Sequence, residues 1–387
     1  MDKVVLHHIA SDYGKDSSIG FRSQKICEYS KNKKNITVIC RSNKSNSIYK
    51  KNIWTIDLSY LFFRFFALIR IYFFSNFPAR KYELFIFNAL SIPYIIIHFF
   101  RNIKKKRYFH SWDSTFWILY FIKKLNYYII KDCAMTPSKS SLVEAKKNPD
   151  FYVDKITNEK KINSEKKIFE ISDKIISPSI YTSNFIIKEY QINSHKLKTI
   201  PFGADPVDKL IIDKRKNKKI IRLGFVGLVN MRKGIRWLIN VLNSCYEKDN
   251  LKFELHLFGR VFKEEIDTLK GAKFKIIKYG FINKNKKNIY DLFDILIHPS
   301  FIEGSAKCIY EAMASGLPII CTEQSGALVQ HKKNGYVINA GDSISLKNAI
   351  KFFIDNKKYI NVMGIKSKKI IGNYSWGKYA EKVIENY

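Results

Sequence analysis

Two carboxylates, Glu303 and Glu311, stand with seven residues between them, just after a short apolar run. Residues 294–298 read as a buried strand, the following residues as a loop carrying Glu303 and Gly304, and 306–315 as a helix carrying Glu311. A ligand at the carboxyl end of a parallel sheet meets such a loop and such a helix start. Backbone N–H groups there favour a phosphate, and the helix dipole adds about 0.3–2 kcal/mol. Gly304 allows a close backbone approach. A carboxylate on the helix can accept two hydrogen bonds from a ribose diol, and one on the loop can reach a sugar. His298, ending the strand, is expected to line the cleft.

A second cluster lies earlier. A strand ends at Val226, Gly227 supplies a tight turn, and Arg232 and Lys233 stand just before Gly234 and the next helix. Two cations beside a glycine turn suit a diphosphate. At 4 Å and an effective dielectric near 20, each cation–phosphate pair contributes about 4 kcal/mol before desolvation. Taken singly, the same pattern also describes ordinary solvated surface.

The elements that must position these groups alternate. Residues 4–9 and 36–40 read as strands around a polar loop, 14–20, and a helix, 21–29: a parallel βαβ unit. Further strands are expected at 84–87, 107–109 and 174–177. A second α/β series follows 219, with strands at 220–226, 252–258, 275–279, 294–298 and 318–321, helices at 235–243 and 306–315, and a last helix over 374–387. The charged run 209–219 reads as a linker. The fold class is therefore α/β, with two Rossmann-like parallel-sheet domains.

The 387 residues are 46% hydrophobic, enough for two cores. Cysteines 27, 40, 133, 245, 308 and 321 have neither zinc spacing nor Cys-x-x-Cys pairing, and read as reduced thiols in a reducing compartment. The uncharged run 84–100 falls just short of a membrane span and reads as strand, turn and helix. No basic, apolar leader opens the sequence, so a cytoplasmic protein is expected. The formal charge of +34 draws such a chain to polyanions, although a lysine-rich background accounts for part of it. Residues 61–77 and 116–130 are aromatic and basic, and read either as helices on a membrane surface or as helices packed on the sheet.

Together these stretches resemble the retaining glycosyltransferases of the glycogen-synthase-like group, the group 1 glycosyl transferases of GT-B fold. The resemblance rests on Glu303 and Glu311 as a Glu-x7-Glu pair, Pro299-Ser300, Gly316 to Pro318, and Gly335 at a terminal turn. It also rests on Arg232-Lys233-Gly234, on the run from Pro201 to Asp205, on Asp173 to Ser177, and on Tyr374 to Trp376. It is strong over 171–387 and loose before that. It implies an acceptor domain over 1–204, a nucleotide-sugar domain over 205–372, and a helix over 373–387 crossing back to the first domain. It implies that Glu311 binds the ribose, Glu303 touches the donor sugar, and Lys233 with Arg232 neutralises the leaving diphosphate without a metal or other cofactor. Gly304, Ser305, Ala306, Lys307, Gly227 and His298 complete the donor set, with Ser305 and Ala306 giving backbone N–H groups.

In the first domain, His110 resembles the family's active-site histidine, against a structural reading of nearly equal weight. Gly14 and Gly20 resemble the loop facing acceptor and diphosphate. Two departures stand out: Leu228 replaces a basic residue, and Gly304 to Lys307 replaces an aromatic–glycine pair. The expected donor is a UDP- or GDP-linked sugar. The expected acceptor is a glycan or polyprenyl-linked sugar in surface polysaccharide or lipopolysaccharide assembly, with the protein peripheral on an anionic inner membrane face. The alternatives are a GT-B sugar epimerase or phosphorylase, and a basic nucleic-acid-binding protein. The latter has only charge in its favour, so no specific nucleic acid is expected.

Overall fold

The computed structural model describes residues 2–14, 19–30, 35–45, 52–72, 79–153, 157–205, 220–281 and 289–387. The expected linker 209–219 and part of the loop 14–20 lie outside these residues.

Two parallel sheets organise the chain. The first contains β1 (Lys3–Tyr13), β2 (Ile36–Asn43), β3 (Ile53–Thr55), β4 (Lys106–Ser111), β5 (Tyr128–Asp132), β6 (Lys174–Ser177) and β7 (Leu197–Thr199), in the order β3-β2-β1-β4-β5-β6-β7. The second contains β8 (Ile221–Val226), β9 (Phe253–Phe258), β10 (Ile276–Gly280), β11 (Ile295–His298), β12 (Ile319–Thr322) and β13 (Gly335–Ile338), in the order β10-β9-β8-β11-β12-β13. In both, the order reverses beside the first strand, and such a switch point opens a crevice at the carboxyl ends of its two strands. The α/β expectation holds.

The helices of the first half are α1 (Ile19–Tyr29), α2 (Asp57–Tyr72), α3 (Ala79–Arg101), α4 (Phe116–Lys124), α5 (Lys139–Lys147), α6 (Glu159–Ile171) and α7 (Ile180–Tyr190). Those of the second are α8 (Ile235–Glu247), α9 (Ile266–Lys270), α10 (Lys307–Ala314), α11 (Ser343–Asp355), α12 (Lys358–Ile371) and α13 (Trp376–Ile384). Helix α13 packs against α1. Its Trp376, Tyr379, Ala380 and Val383 are buried with Val5, Ile9 and Ile26 in the core of the first sheet.

Two expectations fail in the first domain. The strand, turn and helix read over 84–100 are one helix, α3, with Pro93 inside it. The residues that suggested a turn bond back to the preceding helical turn instead: Asn88 Nδ2 donates to the Leu84 carbonyl at 2.5 Å and Ser91 Oγ to the Phe87 carbonyl at 2.6 Å. The stretch 116–130 is not one helix either. It ends at Lys124, Asn126 takes a left-handed φ of 57°, and Tyr128 enters β5. Helix α4 buries Ile118, Leu119 and Ile122 against the sheet, which is the packing reading.

The first core carries an unusual layer of buried imidazoles. His7 donates or accepts at Ser23 Oγ (2.8 Å) and Tyr387 Oη (2.9 Å), His8 at Ser114 Oγ (2.8 Å) and Ser91 Oγ (2.9 Å), and His98 at Tyr127 Oη (2.8 Å). Burial lowers all three, with His8 pushed down to about 3 and His98 to about 4. Burial lowers His110 too, against the opposing pull of Asp132. In the second domain burial beside Lys233 pushes His298 down to about 3.

His7, His8, His98 and His298 stay neutral in the fold, while the unfolded chain takes up protons below an ordinary value near 6.5. Their contribution to stability is full above that value and is lost as pH falls through and below it. Each histidine contributes a slope of about 1.4 kcal/mol per pH unit in that range. Chemical denaturation followed between pH 7.5 and 5 is expected to show a steep loss of stability. A flat profile over that interval would mean that the imidazoles charge within the fold.

Candidate active site

The crevice of the second sheet lies between the ends of β8 and β11, and both charged clusters are there. After β8, Asn230 caps a short 3-10 turn, Met231–Lys233, accepting from the Lys233 N–H at 3.1 Å. Gly234 closes the turn at φ 74°, and a Cβ there would lie 1.9 Å from the Pro299 carbonyl oxygen. The turn is thus pressed onto the loop after β11. The Phe301 N–H donates to the Arg232 carbonyl at 2.9 Å. Gly227, at φ 138°, lies under the Lys233 side chain, its ideal Cβ position 3.8 Å from Cε.

This stitching brings three charges together. Lys233 Nζ and Arg232 Nη1 both meet Glu303 Oε1, the latter at 2.9 Å, and Arg232 Nη1 also donates to the Ile302 carbonyl at 2.6 Å. Burial by itself would raise the Glu303 carboxyl. Lys233 and Arg232 outweigh it and bring the group down to about 2. Glu303 is therefore an anion across the working pH range and a poor general base. His298 is fully buried beneath this cluster rather than open to the cleft. Its Nδ1 contacts Cys308 Sγ at 3.4 Å, and its Nε2 has no partner.

Glu311 stands on the second turn of α10. Its Oε2 accepts from Tyr290 Oη at 2.6 Å and its Oε1 pairs with Lys307 Nζ at 3.2 Å. It opens onto a cavity of about 160 Å³ that also meets Gly203, Asp205, Lys307 and Ser315. Helix α10 begins at Ala306 without a side-chain cap. One of the two expected backbone donors, Ala306, is engaged within the domain. The Ala306 N–H is spent on the Ser325 carbonyl at 3.1 Å, and Ser305 Oγ is held by Tyr310 Oη (2.7 Å) and the Gly326 carbonyl (2.9 Å). Leu228 is 42% exposed at the rim, so Arg232 and Lys233 are the cations on the loop after β8.

The first domain covers this site. Ser179 Oγ donates to the Gly304 carbonyl at 2.7 Å, Thr182 Oγ1 to the same carbonyl at 3.4 Å, and Thr136 Oγ1 to the Glu303 carbonyl. A Cβ on Gly304 would lie 2.3 Å from the Ala134 carbonyl oxygen. The close approach expected at Gly304 is therefore with the backbone of the facing domain. Lys307 Nζ sits 5.3 Å over the Phe21 ring at the start of α1, and Gln324 Nε2 donates to Glu144 Oε1 at 3.2 Å. Thr136, Ser179, Thr182, Phe21 and Tyr290 carry no sequence signal of their own, because each acts on a partner distant in the chain.

His110 does not join them. The strand runs to Ser111, and parallel pairing sets His110 beside His7 inside the sheet. Its ring is fully buried, meets Tyr387 Oη at 2.7 Å and Asp132 Oδ2 at 3.4 Å, and stacks on Trp112 at 4.0 Å. This is the structural reading, in a network with Arg22, whose Nη1 meets Asp132 Oδ1 at 2.9 Å. Gly14 and Gly20 have packing reasons as well. A Cβ on Gly14 would overlap Ser45, and one on Gly20 would lie 1.9 Å from the Asp12 carbonyl oxygen, which seats α1 on the end of β1.

Comparison with known proteins agrees with this geometry. Residues 220–356 match the family model for glycosyl transferases group 1. The chain is 25% identical over 169 residues to an uncharacterized glycosyltransferase of Methanocaldococcus jannaschii, covering 42% of this chain and 43% of that protein. It is 29% identical over 221 residues to an Escherichia coli UDP-Gal:alpha-D-GlcNAc-diphosphoundecaprenol alpha-1,3-galactosyltransferase, covering 52% and 56%. It thus spans about half the length of these relatives. Over its full length the fold is that of the GT-B glycosyltransferases. Anabaena HepE in complex with UDP superposes with a TM-score of 0.65 at 15% identity, covering 99% of both chains. The lipopolysaccharide outer core galactosyltransferase WaaB superposes with a TM-score of 0.65 at 13% identity, also covering 99% of both.

The packing at Gly304 yields a direct expectation. Gly304→Ala forces a methyl against backbone and is expected to cost about 1–3 kcal/mol. Leu228→Ala on the exposed rim is expected to stay within about 0.5 kcal/mol. Equal denaturation midpoints for the two variants would mean that the domains do not close over residue 304.

Proposed function

We propose that this chain, a group 1 glycosyltransferase by its second domain and by its GT-B fold, moves a sugar from a nucleotide-sugar to a glycan or lipid-linked acceptor with retention of anomeric configuration. The observation that carries this reading is the cluster of Glu303, Lys233 and Arg232 beside the Glu311 cavity. It supplies, in one crevice, cations for a diphosphate and carboxylates for hydroxyl groups.

In this reading the ribose diol meets Glu311, whose two oxygens keep acceptor capacity beyond Tyr290 and Lys307. The diphosphate draws Lys233 and Arg232 away from Glu303. Glu303, so released, accepts hydrogen bonds from the donor sugar, above the buried His298. As the bond from the anomeric carbon to the diphosphate breaks, negative charge grows on the leaving oxygen between the two cations. The acceptor oxygen bonds to the anomeric carbon on that same face, and its proton leaves with the diphosphate, whose leaving oxygen gains the negative charge as its bond breaks. Closure of the first domain onto Gly304 keeps water out.

The donor is read as UDP- or GDP-linked, and no cofactor or metal is assigned a role, since two side-chain cations stand at the phosphate position. UDP is favoured because HepE was crystallised with it. A lipid-linked acceptor is favoured by the E. coli relative named for a diphosphoundecaprenol substrate. Surface polysaccharide or lipopolysaccharide assembly, from the cytoplasmic side, follows from that acceptor.

Thermal unfolding with UDP, GDP and their sugars tests the donor half. A ligand at a hundred times its Kd adds about 2.7 kcal/mol, or roughly two degrees or more. One nucleotide family is expected to stabilise the wild type, and neither Lys233→Ala nor Glu311→Ala is expected to respond. Silence from the wild type, with both variants folded, would sink the reading.

Glu303→Gln gives a sharper test. Removing the competing anion is expected to tighten UDP binding about tenfold, a change of about 1.4 kcal/mol, while transfer is lost. Weaker UDP binding in that variant, measured by calorimetry, would show that Glu303 is not what the diphosphate displaces. Lys233→Ala is expected to lower kcat by about 10²–10³, read from initial rates of transfer.

A further inference from the structure

Helix α3 is apolar on its outer side as well as its inner one. Its inward stripe carries Glu83, Phe87, Asn88, Ser91, Ile95 and His98. The charged and ring groups there are bonded into the domain: Glu83 Oε1 to Arg41 at 2.5 Å and to Arg80 at 2.9 Å, and His98 to Tyr127. Its outward side carries Tyr82, Phe85, Ile96, Ile97 and Phe100, each between 37% and 66% exposed. A helix on the surface of a water-soluble domain keeps its outer side polar. Helix α2 also turns apolar side chains outward. Leu58, Leu61, Phe62, Phe65 and Leu68 recur at helical spacing and are 37–62% exposed. The two helices pack together, with Phe66 beside Tyr82 at 5.7 Å, so their outer sides form one continuous apolar face. A patch of that kind marks an interaction surface.

We propose that the α2–α3 face lies on an anionic lipid bilayer. Charge selects this occupant. Exposed cations accompany the apolar centre: Arg64 on α2, Lys81 at the start of α3, and Arg101 and Lys104 at and just beyond its end. Apolar side chains accompanied by cations are the chemistry of a helix lying in the headgroup region. A second copy is disfavoured by the same charges, since joining two chains of +34 opposes two strongly positive bodies. Helix α3 has the length and composition to cross a membrane. However, its inward polar stripe is already bonded into the first domain, so it lies along the surface.

The placement has a consequence for the acceptor. Helix α3 starts where Arg41 and Arg80 reach the Ala10 carbonyl near the carboxyl end of β1, on the side of that sheet's crevice. It ends beside Arg107 near the start of β4, where Arg107 Nη1 donates to the Ile103 carbonyl at 2.8 Å. A bilayer along α3 therefore meets the edge of the crevice at headgroup level, where a lipid-linked sugar would be presented. This consequence rests on the acceptor class proposed above, whereas the docking itself needs no sugar chemistry.

Flotation of the full chain with phosphatidylglycerol/phosphatidylcholine vesicles at physiological salt tests the surface. The triple variant Phe65→Ser, Phe85→Ser, Phe100→Ser leaves the net charge unchanged. It is expected to keep its far-ultraviolet circular dichroism and nucleotide binding, and to lose vesicle partition at least tenfold. Equal partition of variant and wild type would assign the attraction to charge alone and overturn the proposal. Concentration-dependent dimers without lipid, dispersed by the same variant, would assign the face to a second copy and overturn it too.

Should the triple variant misfold, Phe100→Trp supplies an independent reading. Its added fluorescence is expected to be quenched by brominated lipid, and no quenching beyond that of the wild type would refute the docking. Loss of docking would leave nucleotide binding intact, and failure of the donor reading would leave flotation intact, so the two are separable.

Discussion

Burial alone would raise the Glu303 carboxyl, and Lys233 with Arg232 holds it ionised at the junction of the two domains. Much of the second domain serves that contact. Gly234 and Asn230 shape the turn that carries the cations, the Phe301 N–H ties that turn to the loop after β11, and Gly227, at φ 138°, turns the chain beneath the lysine stem. A buried ion pair of this kind is weak evidence for stability, because desolvation offsets much of its attraction. Its use is in exchange: an incoming anion can take over the cations without the site having to assemble them.

The same loop joins the domains. The carbonyls of residues 303 and 304 accept from Thr136, Ser179 and Thr182, and Gly304 leaves no space between the two backbones. The charged cluster and the domain interface are thus carried by one loop. Helix α13 adds a second tie. It follows the last elements of the second domain in the chain but buries its aromatic face in the core of the first. The polar layer beneath it, His7, His110, Asp132, Arg22 and Tyr387, is bonded group to group, which lets titratable side chains occupy a core without water.

The second domain was legible in the sequence around its site, from β8 to β12 with α8 and α10, whereas β13, α9, α11 and α12 were not read from it. Its strands are short apolar runs bounded by glycine or proline, and its functional residues cluster in two local stretches, 224–234 and 298–318. The first domain was less legible. Residues 84–100 contain turn formers that bond back to their own helix. The stretch 116–130 contains a break at Asn126 that only backbone conformation reveals. His110 resembles a site residue by its neighbours in the chain, yet it is turned inward by a strand that runs two residues beyond the expected end.

What the sequence determined by itself was the alternation of strand and helix, the division into two α/β series, and which charges could serve a diphosphate and a ribose. These are local properties, set by side-chain period and by spacing along a single loop and helix. What the tertiary structure decided was which groups meet. Gly304 faces the first domain, the Ala306 N–H goes to Ser325, and Tyr290 joins Glu311. Apolar side chains of α2 and α3 point outward. Each of these depends on contacts between segments far apart in the chain. Period and spacing show that a helix has two faces, and only packing against the rest of the fold determines which face is left outside.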